Sequence, residues 1–68
     1  MNPDALNMSI RKFLKMVGVS SQREIERAVQ QAMAAGTIAG TETLPASMTL
    51  EIGKLKLSVK FDGEVRLQ

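Results

Sequence analysis

Gly36 separates two hydrophobic rhythms, and that change of rhythm constrains the fold more than anything else in the chain. Before it, apolar residues recur about once per helical turn; after it, they alternate with polar ones. The first pattern belongs to amphipathic helix and the second to half-buried strand. An α+β protein follows, with its helical part N-terminal.

The helical part carries start and stop signals. Asn2 is a suitable N-cap, Pro3 suits the first turn, and Asp4 complements the helix dipole. Leu6, Ile10, Phe13, Leu14 and Val17 then fall on one face, and Gly18 is placed to end the run. Ser21 and Glu24 have the spacing of a capping box, and Ile25, Ala28, Val29, Ala32 and Met33 resume the period until Gly36. Two helices are therefore predicted, over about 3–17 and 21–35.

Beyond Gly36 the stretch 37–46, with a glycine and a proline, reads as a connection. Met48, Leu50 and Ile52 then alternate with Thr49 and Glu51, and Leu55, Leu57, Val59 and Phe61 alternate with Lys56, Ser58 and Lys60. Gly53-Lys54 fits a two-residue hairpin turn. That register sets Ile52 opposite Leu55, Leu50 opposite Leu57, Met48 opposite Val59, and Glu51 opposite Lys56. Asp62-Gly63 reads as a further turn, but a two-residue turn there would put Val65 and Leu67 on the lysine face. A three-residue loop or a bulge would restore them to the apolar side. The alternative, a sheet apolar on both faces, would suggest a dimer contact. Strands are predicted over about 47–52, 55–61 and 64–67. The expected architecture is ααβββ, a single domain over 1–68 with two N-terminal helices packed on one face of a three-stranded antiparallel β-meander.

Composition bears on function mainly by exclusion. The 68 residues include no cysteine, histidine, tyrosine or tryptophan. Disulfides, thiolate or imidazole metal sites and thiol chemistry are thereby removed, and general acid–base work near neutral pH would need a carboxylate or lysine shifted by burial. No catalytic, cofactor-binding or metal-ligating residue is expected, and the chain does not read as an enzyme. So short a domain is modestly stable, and without disulfide or metal it must rely on a well-packed core or on self-association. The pI of about 9.4 overstates its basic character. Net charge is only +2, and with nothing but the N-terminal amine titrating between carboxylates and lysines, a small excess of base carries the isoelectric point upward. No apolar tract is long enough to cross a bilayer, and the N-terminus does not read as a signal peptide, so cytoplasmic residence without membrane association is expected.

Three surface patches invite a functional reading. Gly18-Val19-Ser20 between two helices, followed by a hairpin, has the outline of a divergent winged helix-turn-helix, with Arg23 and Arg27 on the would-be recognition helix. Leu14 stands where that motif usually has a small residue, Glu24 stands where it has an apolar anchor, and Glu24 and Glu26 offset the arginines. A second patch, Arg11, Lys12 and Lys15 with Met8, lies on the outer side of the first helix and could meet an acidic partner, RNA or an anionic membrane surface, although an ordinary charged helix face with one exposed methionine is the favoured reading. A third, Lys54, Lys56 and Lys60, carries no aromatic ring for base stacking and reads as solvated sheet surface. The leading expectation is a non-enzymatic interaction module that binds another protein or a second copy of itself. Nucleic-acid binding through the helix-turn-helix outline is the alternative.

The segments NMSIRKFLKMVGVSSQREIERAV and TLPASMTLEIGKL, taken together, resemble a family of short bacterial proteins of about this length known only as a domain of unknown function. The resemblance spans nearly the whole chain. It implies a stand-alone bacterial cytoplasmic protein and brings no site residues with it.

Overall fold

The structure, a computed structural model, describes residues 1–68. It contains one helix, α1 (Pro3–Ala35), and two strands, β1 (Thr43–Ile52) and β2 (Leu57–Arg66), joined by a single turn of 3-10 helix over Gly53–Leu55. The chain divides into two units, Met1–Ala35 and Gly36–Gln68. The predicted ααβββ arrangement, with two helices on a three-stranded meander, is therefore wrong on both counts of elements.

α1 begins as its sequence dictates. The Asn2 side-chain oxygen accepts hydrogen bonds from the backbone N–H of Asp4 at 3.0 Å and of Ala5 at 3.2 Å, while Leu6 N–H donates to the Asn2 carbonyl at 3.0 Å. It ends at Gly36, whose φ of 74° is the left-handed conformation of a helix C-cap. In between, the helix runs straight through Gly18 and Ser21, the positions predicted to stop one helix and start another. The physical reason is a comparison of costs. A glycine inside a helix costs about 1 kcal/mol relative to alanine. A break there would leave up to four carbonyls and four N–H groups without intrahelical partners. The apolar stripe also crosses the site intact. Leu6, Val17 and Ala28 recur every eleven residues, as do Ile10, Ser21 and Ala32, a spacing that keeps a stripe on one side of a nearly straight helix.

The hairpin corrects the predicted turns. Its connection has four residues rather than two: Lys56 N–H donates to the Gly53 carbonyl at 3.0 Å, and Lys56 takes the left-handed conformation at φ 51°. The register therefore pairs Ile52 with Leu57, Leu50 with Val59 and Met48 with Phe61, and sets Glu51 opposite Ser58. It differs from the predicted register by two residues, an even number, so every side chain keeps its face while changing its partner. Leu55 is ejected into the loop, 68% exposed. Asp62-Gly63 is no turn at all. It lies inside β2, with Gly63 opposite Ala46, so a third strand over 64–67 does not form, and Val65 returns to the apolar side opposite Leu44 without loop or bulge.

β1 starts at Thr43, well before the predicted residue 47, and takes in Pro45. Leu67 N–H donates to the Glu42 carbonyl at 3.0 Å. By the alternation of an antiparallel ladder, the bonded pairs are then Leu44–Val65, Ala46–Gly63 and onward. Pro45 falls between them with its nitrogen turned off the ladder, the one place in a strand where a missing N–H costs nothing.

Candidate functional site

Strand alternation sorts the hairpin into two unlike faces. On one, five opposed pairs are apolar or glycine: Leu44–Val65, Ala46–Gly63, Met48–Phe61, Leu50–Val59 and Ile52–Leu57. On the other every pair is polar or proline-containing, from Thr43–Arg66 to Glu51–Ser58. Lys60, Asp62, Glu64 and Arg66 along β2 balance in charge, and Lys60 Nζ lies 3.6 Å from Asp62 Oδ1.

An apolar face of this kind ordinarily forms a core, yet no side chain of the chain is buried. Phe61 is 57% exposed and Met48 47% exposed, while Leu44, Leu50, Leu57 and Val65 are half-buried. A two-stranded hairpin is at best marginally stable without a cover on its apolar side. The face is thus the largest chemical anomaly of this unit: ten positions of continuous apolar surface, built by register, that two strands cannot cover by themselves. Sequence reasoning assigned these residues to an interior under two helices. The signal that would have exposed the whole face was the uninterrupted odd-numbered series Leu57, Val59, Phe61, Gly63, Val65, hidden because Asp62-Gly63 looks like a turn.

The predicted surface residues fare differently. Met8, Arg11, Lys12 and Lys15 are all exposed on α1, Met8 at 73%. Arg23 and Arg27 are exposed on the same helix, with Arg27 Nη1 3.5 Å from Glu24 Oε1. Because α1 is continuous, these six residues, assigned to two helices by sequence, stand on one rod and lie away from the Leu6–Ile10–Val17 stripe. The helix-turn-helix outline disappears, since Gly18-Val19-Ser20 is helical and no second helix exists. The lysine patch also dissolves: Lys54 and Lys56 belong to the hairpin loop, and only Lys60 lies in a strand. A shallow dip lined by Val19, Gln22, Arg23 and Glu26 follows one side of α1, where residues of a single helix supply no opposing wall for chemistry.

Sequence reasoning missed one local electrostatic device. In the segment leading into β1, the Glu42 carboxylate accepts backbone N–H bonds from Ala39 at 2.8 Å, Gly40 at 2.9 Å and Thr41 at 3.1 Å. Gly40, at φ 92°, makes the bend that converges these donors. The bonds, that from Ala39 foremost, hold the Glu42 carboxyl below the ordinary glutamate range despite the opposing effect of desolvation. Glu42 thus acts as a clasp fixing where β1 begins.

No helix is long and apolar enough to cross a membrane. No curated protein and no solved structure matches the chain significantly. A family model does match, over residues 1–68, and the chain belongs to that family, a family of unknown function (DUF6494).

Proposed function

We propose that this chain is a non-enzymatic protein-interaction module whose contact surface is the apolar face of the β1–β2 hairpin. The observation that carries this reading is the separation of faces: a wholly apolar one that two strands cannot cover by themselves, against one that is polar and carries charges of both signs. Contiguous apolar surface of this extent is characteristic of protein contact sites. An aromatic residue and a methionine at its middle, Phe61 and Met48, are of the types enriched at interface centres.

Site-specific photo-crosslinking in the native cell tests the reading. A crosslinker at Val59, on the apolar face, is expected to capture protein adducts, whereas one at Thr49, on the polar face, is not. Equal adduct yields from both positions, or none from Val59, would overturn it.

A further inference from the structure

We infer that the outer side of α1 is a binding surface for anionic lipid, on which the helix lies flat against a negatively charged membrane face. This surface is separate from the apolar face of the hairpin and does not depend on it.

The first support is the distribution of charge along α1. Four of the nine bases, Arg11, Lys12, Lys15 and Arg23, and none of the seven acids fall between Asp4 and Glu24. This stretch of one helix is therefore more basic than the whole chain, whose net charge is +2, and the remaining residues are net acidic. Clusters of roughly four to eight lysines and arginines on an amphipathic helix are characteristic of sites for anionic headgroups.

The second support is that the helix does not neutralise these cations itself. Helical ion pairs join residues three or four apart, and no acid stands at that distance from Arg11, Lys12 or Lys15. The ion pair of α1, between Arg27 and Glu24, lies beyond Arg23. An unpaired cation is costly to bury, so this side of α1 does not suit packing against apolar surface of any origin.

The third support is the kind of residue set among the cations. Met8, Lys12, Lys15, Val19 and Arg23 follow one another at spacings of four, three, four and four. That spacing puts them on one side of the helix, roughly opposite the Leu6–Ile10–Val17 stripe, as a ridge about 22 Å long. Nucleic-acid phosphates call for cations and gain nothing from a methionine and a valine among them. The boundary between headgroups and acyl chains accepts both kinds: Met8 and Val19 enter it, while the long lysine and arginine stems carry their charges back to the phosphates.

The continuity of α1 is what creates this ridge. A helix ending at Gly18 would leave three bases and one methionine, an ordinary charged face, with Val19 and Arg23 on another element. In the unbroken helix the two parts align. Lying on a membrane requires no tract long enough to cross one, so the absence of a spanning helix does not bear against it.

Cosedimentation of the full chain with lipid vesicles decides the matter. The chain is expected to bind vesicles of equal parts phosphatidylglycerol and phosphatidylcholine, more weakly as salt is raised, and not to bind pure phosphatidylcholine. Lys12→Gln/Lys15→Gln should weaken binding roughly 25-fold, about fivefold for each cation removed. Met8→Ala/Val19→Ala keeps every charge and suits a helix, and should weaken binding roughly tenfold through lost apolar burial. Lys54→Gln/Lys56→Gln removes as much charge from the hairpin loop and should leave binding within about twofold. No binding to the anionic vesicles at low salt overturns the inference, whether or not the chain then binds RNA or duplex DNA. Equal losses from the loop pair and the helix pair would mean that net charge alone attracts the chain, and would overturn the ridge. Indifference to Met8→Ala/Val19→Ala overturns the insertion of its apolar residues.

Discussion

Replacing Gly18 and Gly36 by alanine, one at a time, should move stability in opposite directions. Both glycines stand at positions where the sequence suggests a helix end, but only Gly36 has a left-handed backbone, at φ 74°. At Gly18 the helix continues, and an added Cβ would meet nothing within 4 Å beyond the helix's own backbone. Gly18→Ala therefore removes the entropic penalty of an interior glycine and should stabilise by about 1 kcal/mol. Gly36→Ala forces an L-residue into the left-handed region and should cost about 1–2 kcal/mol. For a chain of this size each kcal/mol moves Tm by about 4–8 °C, so the two variants should part by 8 °C or more, a gap of about two kcal/mol at that scale. Thermal melts by far-ultraviolet circular dichroism read this directly. All samples must be compared at one protein concentration, because association makes Tm depend on it. If Gly18→Ala lowers Tm as Gly36→Ala does, the chain turns at Gly18, and the continuous helix is refuted.

Other consequences follow from the loop and the sheet edge. The depressed pKa of Glu42 means that its clasp is fully present above the unfolded-state value, about 4.3, and is lost as pH falls through the lower folded-state value. The Ala39, Gly40 and Thr41 amide resonances should accordingly titrate together below that pH and lose the transition in Glu42→Gln; a transition above it would contradict the clasp. Pro45→Val restores an N–H that points off the ladder, so the hairpin's own stability should change by less than about 0.5 kcal/mol, while light scattering should report growth of larger species through the newly continuous β1 edge. A marked gain in stability would instead mean that Pro45 faces β2. The Arg27–Glu24 pair, 3.5 Å apart and largely exposed on both sides, should contribute less than about 0.5 kcal/mol in a double-mutant cycle.

How far the molecule could be read from its residues varies by kind of signal. The Asn2 cap, the Gly36 terminus and the alternation of Met48–Ile52 and Leu57–Phe61 were all legible, because each rests on chemistry local to a few residues. Face membership was legible too, and it survived a wrong register because an even shift preserves the pleat. Turn positions were not. Glycine permits a turn without requiring one, so Gly18 and Gly63 lie within regular structure, whereas the actual left-handed residue of the hairpin loop is Lys56, which no compositional cue marks. Pro45 looked like a loop because its tolerance depends on which way the ladder's bonds point, a property of pairing rather than of sequence. The Glu42 clasp depends on a bend at Gly40 that brings three successive N–H groups to one carboxylate, and spacing alone does not reveal it. The candidate site was legible as pattern but not as one continuous face. Its apolar residues were recognised, but they were divided between separate short strands where the ladder is continuous from Thr43–Arg66 to Ile52–Leu57.

Proton NMR on the full chain tests the central claim, the unbroken ladder that builds the apolar face, most directly. Cross-strand contacts are expected between the α-protons of Ser47 and Asp62 and between those of Pro45 and Glu64, which oppose each other as non-bonded pairs. Their absence, with a turn at Asp62-Gly63 in their place, would contradict it.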